Sequence, residues 1–347
     1  MSTHEDVILS LKDVKVHFKM DEGLLKAVDG VSFEIHKGRT LGIVGESGCG
    51  KSVTTNAIFK ILPKYGQLSG EILLYEKDGK RLDQPTDIVK LNPTGPEIRS
   101  IRGGNIAMIF QEPMKAFSPI HTVGNQIIEG IQLHVEPDPG KARQIAIDML
   151  RSVGIANPEQ RVDEYPHQLS GGMRQLAMIA MALACEPSIL IADEPTTALD
   201  VTVQAQVLDL INNLKHEHNT SVIFITHDLG VIAEMSDDVA VMYLGKVMEH
   251  CSVDDLFYNP LHPYTQALLK SIPTADKAHK QRFESIKGTV PYPMNLPEGC
   301  GFYSRCSLAD KGKCNRGDIP MVEAAPGHLV RCLRYAPNQP ASEGGEA

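Results

Sequence analysis

The sequence has no apolar run near the roughly 18 residues that suggest a membrane span. Its longest, Leu176 to Cys185, fits a buried core helix instead. It has no excess of positive charge either: 34 Lys and Arg stand against 43 Asp and Glu, a net charge of −9. No whole-chain field therefore draws it to DNA or anionic lipid, and only a local patch would. The opening MSTHEDVILS has acids where a signal peptide needs a basic and then an apolar segment, so the chain is expected in the cytoplasm. There is no internal repeat. What is present, 42% hydrophobic and 22% charged residues over 347 positions, is globular composition with room for one large domain or two ordinary ones.

No Cys-x2-Cys pair occurs among the seven cysteines. Cys49, Cys185 and Cys251 are scattered, whereas Cys300, Cys306, Cys314 and Cys332 cluster as C-x5-C-x7-C-x17-C. A cytosolic chain seldom keeps structural disulfides, so the cluster points to metal or redox chemistry. Its spacing matches neither a zinc ribbon nor the bacterial ferredoxin run. A [4Fe–4S] cluster, a zinc site and buried free thiols all stay open on spacing alone.

Alternation predicts strands at Val7 to Leu11, Val14 to Phe18 and Val31 to Ile35. Thr40 to Val44 reads as a buried strand, followed by a glycine-rich stretch and a helix from Lys51 to Leu62. Residues 76–100 are polar and turn-rich, as in an inserted excursion. Ile106 to Phe110 is a further strand. From Thr122 to about Cys185 the pattern is mostly helical, with Ile127, Ile128, Ile131 and Leu133 on one face and Ile145, Met149, Leu150 and Val153 on another. Core strands Ile189 to Ala192 and Val222 to Ile225 flank a helix from Val203 to His216. This order predicts an α/β fold with a partly parallel sheet and a helical subdomain. Ten of the 22 prolines lie from Pro260 onward, which predicts a loop-rich appendage. The small, polar end of the chain is expected to be disordered.

Gly45-Glu46-Ser47-Gly48-Cys49-Gly50-Lys51-Ser52 matches G-x-x-x-x-G-K-[ST]. Its glycines allow a tight turn whose N–H groups point at phosphate oxygens, and the helix that follows, through Val53, adds its positive end. Lys51 supplies charge for the β- and γ-phosphates, and Ser52 a hydroxyl for Mg²⁺. Asp193 ends an apolar strand and places a carboxylate beside that ion. Glu194 can polarise a water for attack on the γ-phosphate. Leu169-Ser170-Gly171-Gly172-Met173-Arg174-Gln175 opens a second helix and forms a second anion-binding terminus. Two phosphate-reading devices with one phosphate loop imply a head-to-tail dimer, each chain completing its partner's site.

Taken together these motifs resemble the ATP-binding subunit of an ABC transporter, over roughly residues 7–255 with the helical subdomain at about 112–185. Residues 45–52 resemble the Walker A motif, 169–175 the signature motif and 189–194 Walker B. Gln111 resembles the Q-loop glutamine, Ala198-Leu199-Asp200 the D-loop, His227 the switch histidine and Phe18 the aromatic that stacks on adenine. The resemblance implies a P-loop NTPase fold with a mixed sheet, and a hydrolytically competent site for ATP and Mg²⁺. Glu194, His227 and Gln111 would be catalytic, and Ser52, Gln111 and Asp193 would hold Mg²⁺. Asp200 would bridge the dimer. A soluble ABC ATPase working on nucleic acid or ribosomes is the competing class, and a small-molecule kinase would leave residues 169–175 unexplained.

Asn259-Pro-Leu-His-Pro-Tyr-Thr265, and then Pro291-Tyr-Pro293 with Phe302, Arg305, His328 and the four cysteines, resemble the C-terminal domain of oligopeptide/dipeptide permease ATPases, over 256–334. A tail from 335 to 347 would follow. The resemblance implies a [4Fe–4S] cluster on Cys300, Cys306, Cys314 and Cys332, with Zn²⁺ as the alternative. It also implies two membrane permease subunits, a second and related ATPase, an extracytoplasmic solute-binding protein and a place on the cytoplasmic face of the membrane. Residues 117–122 read Phe-Ser-Pro-Ile-His-Thr where Leu-Asn-Pro is common, a departure shared with oligosaccharide importers. Peptide, oligosaccharide and nickel thus stand as cargoes, with peptide first.

Overall fold

A computed structural model describes residues 6–112, 116–196, 199–271 and 286–336. Ala198, and residues 337–347 of the tail expected at 335–347, lie outside the described residues. Two sheets form the framework. The first is antiparallel, in the order β2-β1-β4-β5: β1 Val7–Met20, β2 Gly23–His36, β4 Gly66–Lys77 and β5 Lys80–Asp87. The second has eight strands in the order β11-β12-β10-β9-β3-β8-β7-β6. In it β3 Thr40–Val44, β6 Ile106–Ile109, β7 Ile189–Asp193, β8 Ser221–Ile225 and β9 Asp238–Tyr243 run parallel. β10 Lys246–Ser252 and the hairpin of β11 Val322–Ala325 and β12 His328–Val330 extend it antiparallel.

β3, β7 and β8 are buried along their whole length, as parallel strands covered on both faces must be. Their side chains alternate. Ile43, Ile191, Ile223 and Ile225 pack toward the antiparallel sheet, while Val44, Leu190, Ala192 and Phe224 pack toward the helices. The strand ends, and therefore the site, are fixed by this two-sided core.

The helices are α1 Lys51–Ile58, α2 Pro96–Ile101, α3 Val123–His134, α4 Pro139–Ser152, α5 Pro158–Arg161, α6 Gly171–Leu183, α7 Val201–His218, α8 Leu229–Met235, α9 Val253–Tyr258 and α10 Pro263–Lys270. The side chains of Thr122, Asp138, Ser170 and Asp200 accept the first free N–H groups of α3, α4, α6 and α7, which sets those starts.

Several expectations change. The two short strands read at 7–18 are one strand, broken in register at Lys12–Asp13, where Asp13 takes φ 47°. The helix read to Leu62 ends at Ile58, and Lys60 turns left-handed at φ 52°. The polar stretch 76–100 is not a bare excursion. It contains the rest of β4, then β5 and α2, polar because β5 is a solvent-facing edge strand. Lys60 Nζ donates to the carbonyls of Ile88, Val89 and Leu91 and pins it down. Leu133 does not join Ile127 and Ile131 on the buried face of α3 but is 72% exposed. Six residues after Ile127 lie about 240° around a 3.6-residue helix, so Leu133 points elsewhere.

Candidate functional site: a nucleotide cleft

The phosphate loop joins the end of β3 to α1, and two of its glycines are dictated by close approaches. A Cβ at Gly45 (φ 154°) would sit 2.2 Å from the carbonyl oxygen of Met242, and one at Gly50 (φ 105°) 2.3 Å from that of Ala27. Only glycine lets the loop pass between these strands. Lys51 is buried and curls back over the loop, its Nζ donating to the carbonyls of Gly45 (2.7 Å) and Glu46 (3.4 Å).

A cleft of about 510 Å³ opens over the loop. Phe18, Ser47, Gly48, Cys49, Gly50, Lys51, Ser52, Val53, Gln111 and Glu194 all reach it, so residues expected together from distant parts of the chain do meet. The Phe18 ring lies 5.6 Å from that of Tyr65. A second, adjoining cavity is lined by Ser52, Gln111 and Asp193.

Three polar side chains converge where the cleft meets the ends of β7 and β8. Gln111 Nε2 donates to Glu194 Oε2 at 2.9 Å, and His227 Nδ1 lies 3.4 Å from Glu194 Oε1. Glu194 has φ 47°, an unusual backbone for a non-glycine residue, and its N–H donates to the carbonyl of Ile225 at 2.9 Å. That bond between neighbouring strand ends fixes where the carboxylate points. Conformations of this kind cost of order 1–3 kcal/mol and cluster at active sites.

Asp193 is 5% exposed. Burial raises its pKa above the ordinary carboxylate value, against the lowering effect of a hydrogen bond from Ser52. Its Oδ1 is buried without a hydrogen-bond partner. A buried carboxylate oxygen with nothing to accept, beside a serine hydroxyl, is the donor set a hard divalent cation needs, and these residues fit Mg²⁺.

Other expected residues lie elsewhere. Ser170, Gly171 and Gly172 begin α6 and are not among the residues that line this cleft. Asp200 caps α7, its Oδ1 accepting from the N–H of Val203 at 3.0 Å, and a Cβ on Gly172 would be 3.7 Å from Val203. The two helix starts thus adjoin each other, away from the chain's own phosphate loop.

Glu46 differs from expectation. Its N–H does not point at the cleft but donates to Tyr264 Oη at 3.0 Å, and its carboxylate takes both guanidinium nitrogens of Arg305, at 2.6 and 3.0 Å. A further group that sequence reasoning missed is Val290–Pro293, which lines the same cleft, with Tyr292 66% exposed there. Lys26 N–H donates to the carbonyl of Pro293 at 3.1 Å and holds this segment against β2. The Pro-Tyr-Pro run was the one available signal, since flanking prolines stiffen an extended segment.

Cys300, Cys306, Cys314 and Cys332 line one small cavity and are all free thiols. Burial pushes Cys300 up to about 11 and raises Cys306 and Cys332 as well. A different trio, Glu249, Cys251 and His328, brings ligand atoms within 4.8 Å of one another. Its carboxylate is already engaged, accepting from the N–H groups of Leu261 and His262 and lying 2.7 Å from His328 Nε2. The trio is therefore a polar clasp on the chain entering α10.

Comparison with known proteins agrees with this geometry. The ABC transporter family profile matches residues 28–197, and the profile of the oligopeptide/dipeptide transporter C-terminal region matches 248–314. The chain is 48% identical over 331 residues to the probable peptide ABC transporter ATP-binding protein y4tR of Sinorhizobium fredii, covering 95% of each. It is 46% identical to the oligopeptide transport ATP-binding protein AppD of Bacillus subtilis (94% of this chain, 97% of that one). Against the dipeptide transport ATP-binding protein DppD of the same organism it is 48% identical (96% and 90%). Among solved structures it resembles the dimeric ATP-binding cassette MJ0796 in a post-hydrolysis state bound to ADP and Pi. The TM-score is 0.61 at 26% identity, over 71% of this chain and 99% of that one. The chain belongs to the ABC transporter family, as an ATP-binding subunit of the kind that carries the oligopeptide/dipeptide transporter C-terminal region.

Proposed function

We propose that this chain is the ATPase that drives import of di- and oligopeptides. The observation that carries the ATPase reading is the meeting of Gln111, Glu194 and His227 at the mouth of the phosphate-loop cleft. Lys51 and the loop N–H groups hold the β- and γ-phosphates. Ser52 and Asp193, with the amide of Gln111, hold Mg²⁺, which neutralises charge on the phosphates when bound. Glu194 orients and polarises the attacking water, and His227 steadies charge developing at the γ-phosphate. Phe18 packs on the base.

The second phosphate-reading terminus, Ser170 to Gly172, serves the partner's nucleotide in a head-to-tail dimer. Its position away from the chain's own cleft supports this, as does Asp200 beside it at the start of α7. ATP closes the dimer and hydrolysis reopens it. A related ATPase supplies the other half. Two membrane permeases are driven, and a solute-binding protein delivers cargo to them. No helix among the described residues is long and apolar enough to cross a membrane, so attachment at the cytoplasmic face goes through the permeases. The relatives' names and the C-terminal match favour peptide over oligosaccharide or nickel. The core spans 7–255 and the C-terminal domain 256–334.

For the four C-terminal thiols, which line one cavity, the reading is a bound metal group, a [4Fe–4S] cluster with zinc as the alternative, since four thiolates suit either metal.

The ATPase reading is tested through Asp193. Phosphate release by the wild type should require Mg²⁺. The apparent Mg²⁺ affinity should fall as pH drops toward the raised Asp193 pKa, because proton and metal compete for one carboxylate. Asp193→Asn should lose at least about 100-fold in hydrolysis. With neither metal nor nucleotide, the same variant should be more stable than wild type at neutral pH. Folding raises this carboxyl's pKa, so the group costs the native state stability that is full above the raised pKa and fades to nothing only as pH falls below the ordinary carboxylate value. Mg²⁺-independent hydrolysis, or near-normal turnover in Asp193→Asn, would sink the assignment.

A further inference from the structure

The phosphate loop is gripped from outside the ATPase core. Glu46, its second residue, is separated by 218 positions from Tyr264 and by 259 from Arg305, yet both hold it. Tyr264 is fully buried and accepts the Glu46 N–H. The Arg305 side chain, 4% exposed, closes a bidentate pair with the carboxylate. The remaining polar group of this residue, its carbonyl, faces Lys51 Nζ at 3.4 Å. Donor, acceptor and charge of Glu46 are thus all committed.

The grip is rigid because its own supports are packed. Tyr243, Tyr264 and Phe302 pack tilted and edge-on in a three-ring cluster with centroids 4.7 to 5.4 Å apart. The guanidinium of Arg305 lies over Tyr243 and Phe302, 5.8 and 5.9 Å from their centroids, and its Nε donates to the carbonyl of Lys287. Tyr243 ends β9, a core strand, whereas Tyr264, Phe302 and Arg305 come from the C-terminal region. The same tyrosines and arginine therefore join that region to the turn that must cradle a triphosphate.

We propose that Arg305 and Tyr264 are positioning residues of the nucleotide site, so that the C-terminal region sets ATP affinity through Glu46. Two physical effects act together. Holding Glu46 fixes the loop in its anion-cradling shape before nucleotide arrives, so the cost of ordering it is not charged to binding. Pairing the Glu46 carboxylate also removes an uncompensated negative charge beside the phosphates, and a desolvated Arg–carboxylate pair does this most effectively when bidentate. Neither residue touches the reacting atoms.

The inference rests on the nucleotide-site reading, so the wild-type full chain is titrated first with MgATP, binding being read by calorimetry. Failure there removes the site reading itself. If the wild type binds, Arg305→Gln should raise the ATP Kd about tenfold, the size expected for a charge-assisted hydrogen-bond pair. Turnover at saturating ATP should change less than about threefold. Tyr264→Phe, which keeps the ring and deletes the hydroxyl, should raise Kd a few-fold. The separating readout is the double variant. In a Glu46→Gln background, Arg305→Gln should cost under about twofold, because the charge it neutralises is gone. An unchanged Kd in both single variants, or an Arg305→Gln loss of equal size with Glu46 and with Gln at position 46, would overturn the proposal. Should Arg305→Gln fail to fold, as melting would show, Tyr264→Phe decides alone, and a wild-type Kd would overturn it.

Discussion

Glu194→Gln should bind MgATP with wild-type affinity and release phosphate at least about 100-fold more slowly, since a positioned base contributes roughly 10²–10⁴ to rate. The substitution keeps size and hydrogen bonding while deleting the carboxylate proposed to accept a proton from water. Gln111 Nε2 donates to this carboxylate, and the amide oxygen of a Gln at 194 can accept the same bond. Binding determinants on the phosphate loop are untouched. A second consequence separates a base from a mere binding residue. With hydrolysis blocked, the closed dimer should accumulate in MgATP and elute as a larger species than the wild type does. Quantifying phosphate release and elution volume together checks both. Near-normal turnover would remove Glu194 from the base role, and lost nucleotide binding would show that it holds the site together instead.

The next largest effect is expected at the thiol cluster. Protein purified without oxygen should carry iron and sulfide with the broad visible absorption of an iron–sulfur chromophore. Cys306→Ser should lose most of that signal. It should also unfold at a temperature at least about 5 °C lower, given that each kcal/mol lost moves the midpoint of a domain this size by roughly 2–4 °C. The physical reason is local. Residues 286–336 contain one short 3₁₀ turn and a small hairpin, and the cysteines sit in turns joined by single backbone bonds such as Cys300 N–H to the Cys314 carbonyl, so a bound group would tie these turns together. The hairpin also extends the core sheet through β10 and β12, so loosening should reach the core's edge. Zinc at one equivalent without iron would support the metal site and refute the cluster. Metal-free protein with unchanged melting in Cys306→Ser would refute both.

How much of this was legible in the sequence depends on how locally each feature is encoded. The phosphate loop, Asp193, Glu194 and the start of α6 after Ser170 announce themselves because a turn or helix start needs particular residues at fixed spacing, whereas α7 begins at Val201, two residues before the start the pattern suggested. The buried strands β3, β7 and β8 read as short apolar runs for the same reason. β5 was missed because an exposed edge strand has no apolar face to alternate. The bulge in β1 was missed because its left-handed residue is Asp13 rather than glycine. Leu133 was assigned to a buried face by its chemistry when its angle around α3 excluded it.

The grip on Glu46 lay furthest from view. Nothing local marks Tyr264 or Arg305 as neighbours of the phosphate loop, because the packing of one region on another chooses the pairing. Val290–Pro293 reached the nucleotide cleft in the same way. The sequence announces the groups that do chemistry, and tertiary packing selects those that hold them in place.

The account as a whole rests on ATP hydrolysis at this site driving peptide uptake, and uptake tests that directly. Cells lacking the gene would be given labelled dipeptides, longer peptides, nickel and oligosaccharides in parallel. The account predicts that peptide uptake alone is lost, that the wild-type gene restores it, and that Lys51→Ala does not. Normal peptide uptake with lost sugar or nickel uptake would contradict the cargo and leave the ATPase standing. Full restoration by Lys51→Ala would contradict the central claim.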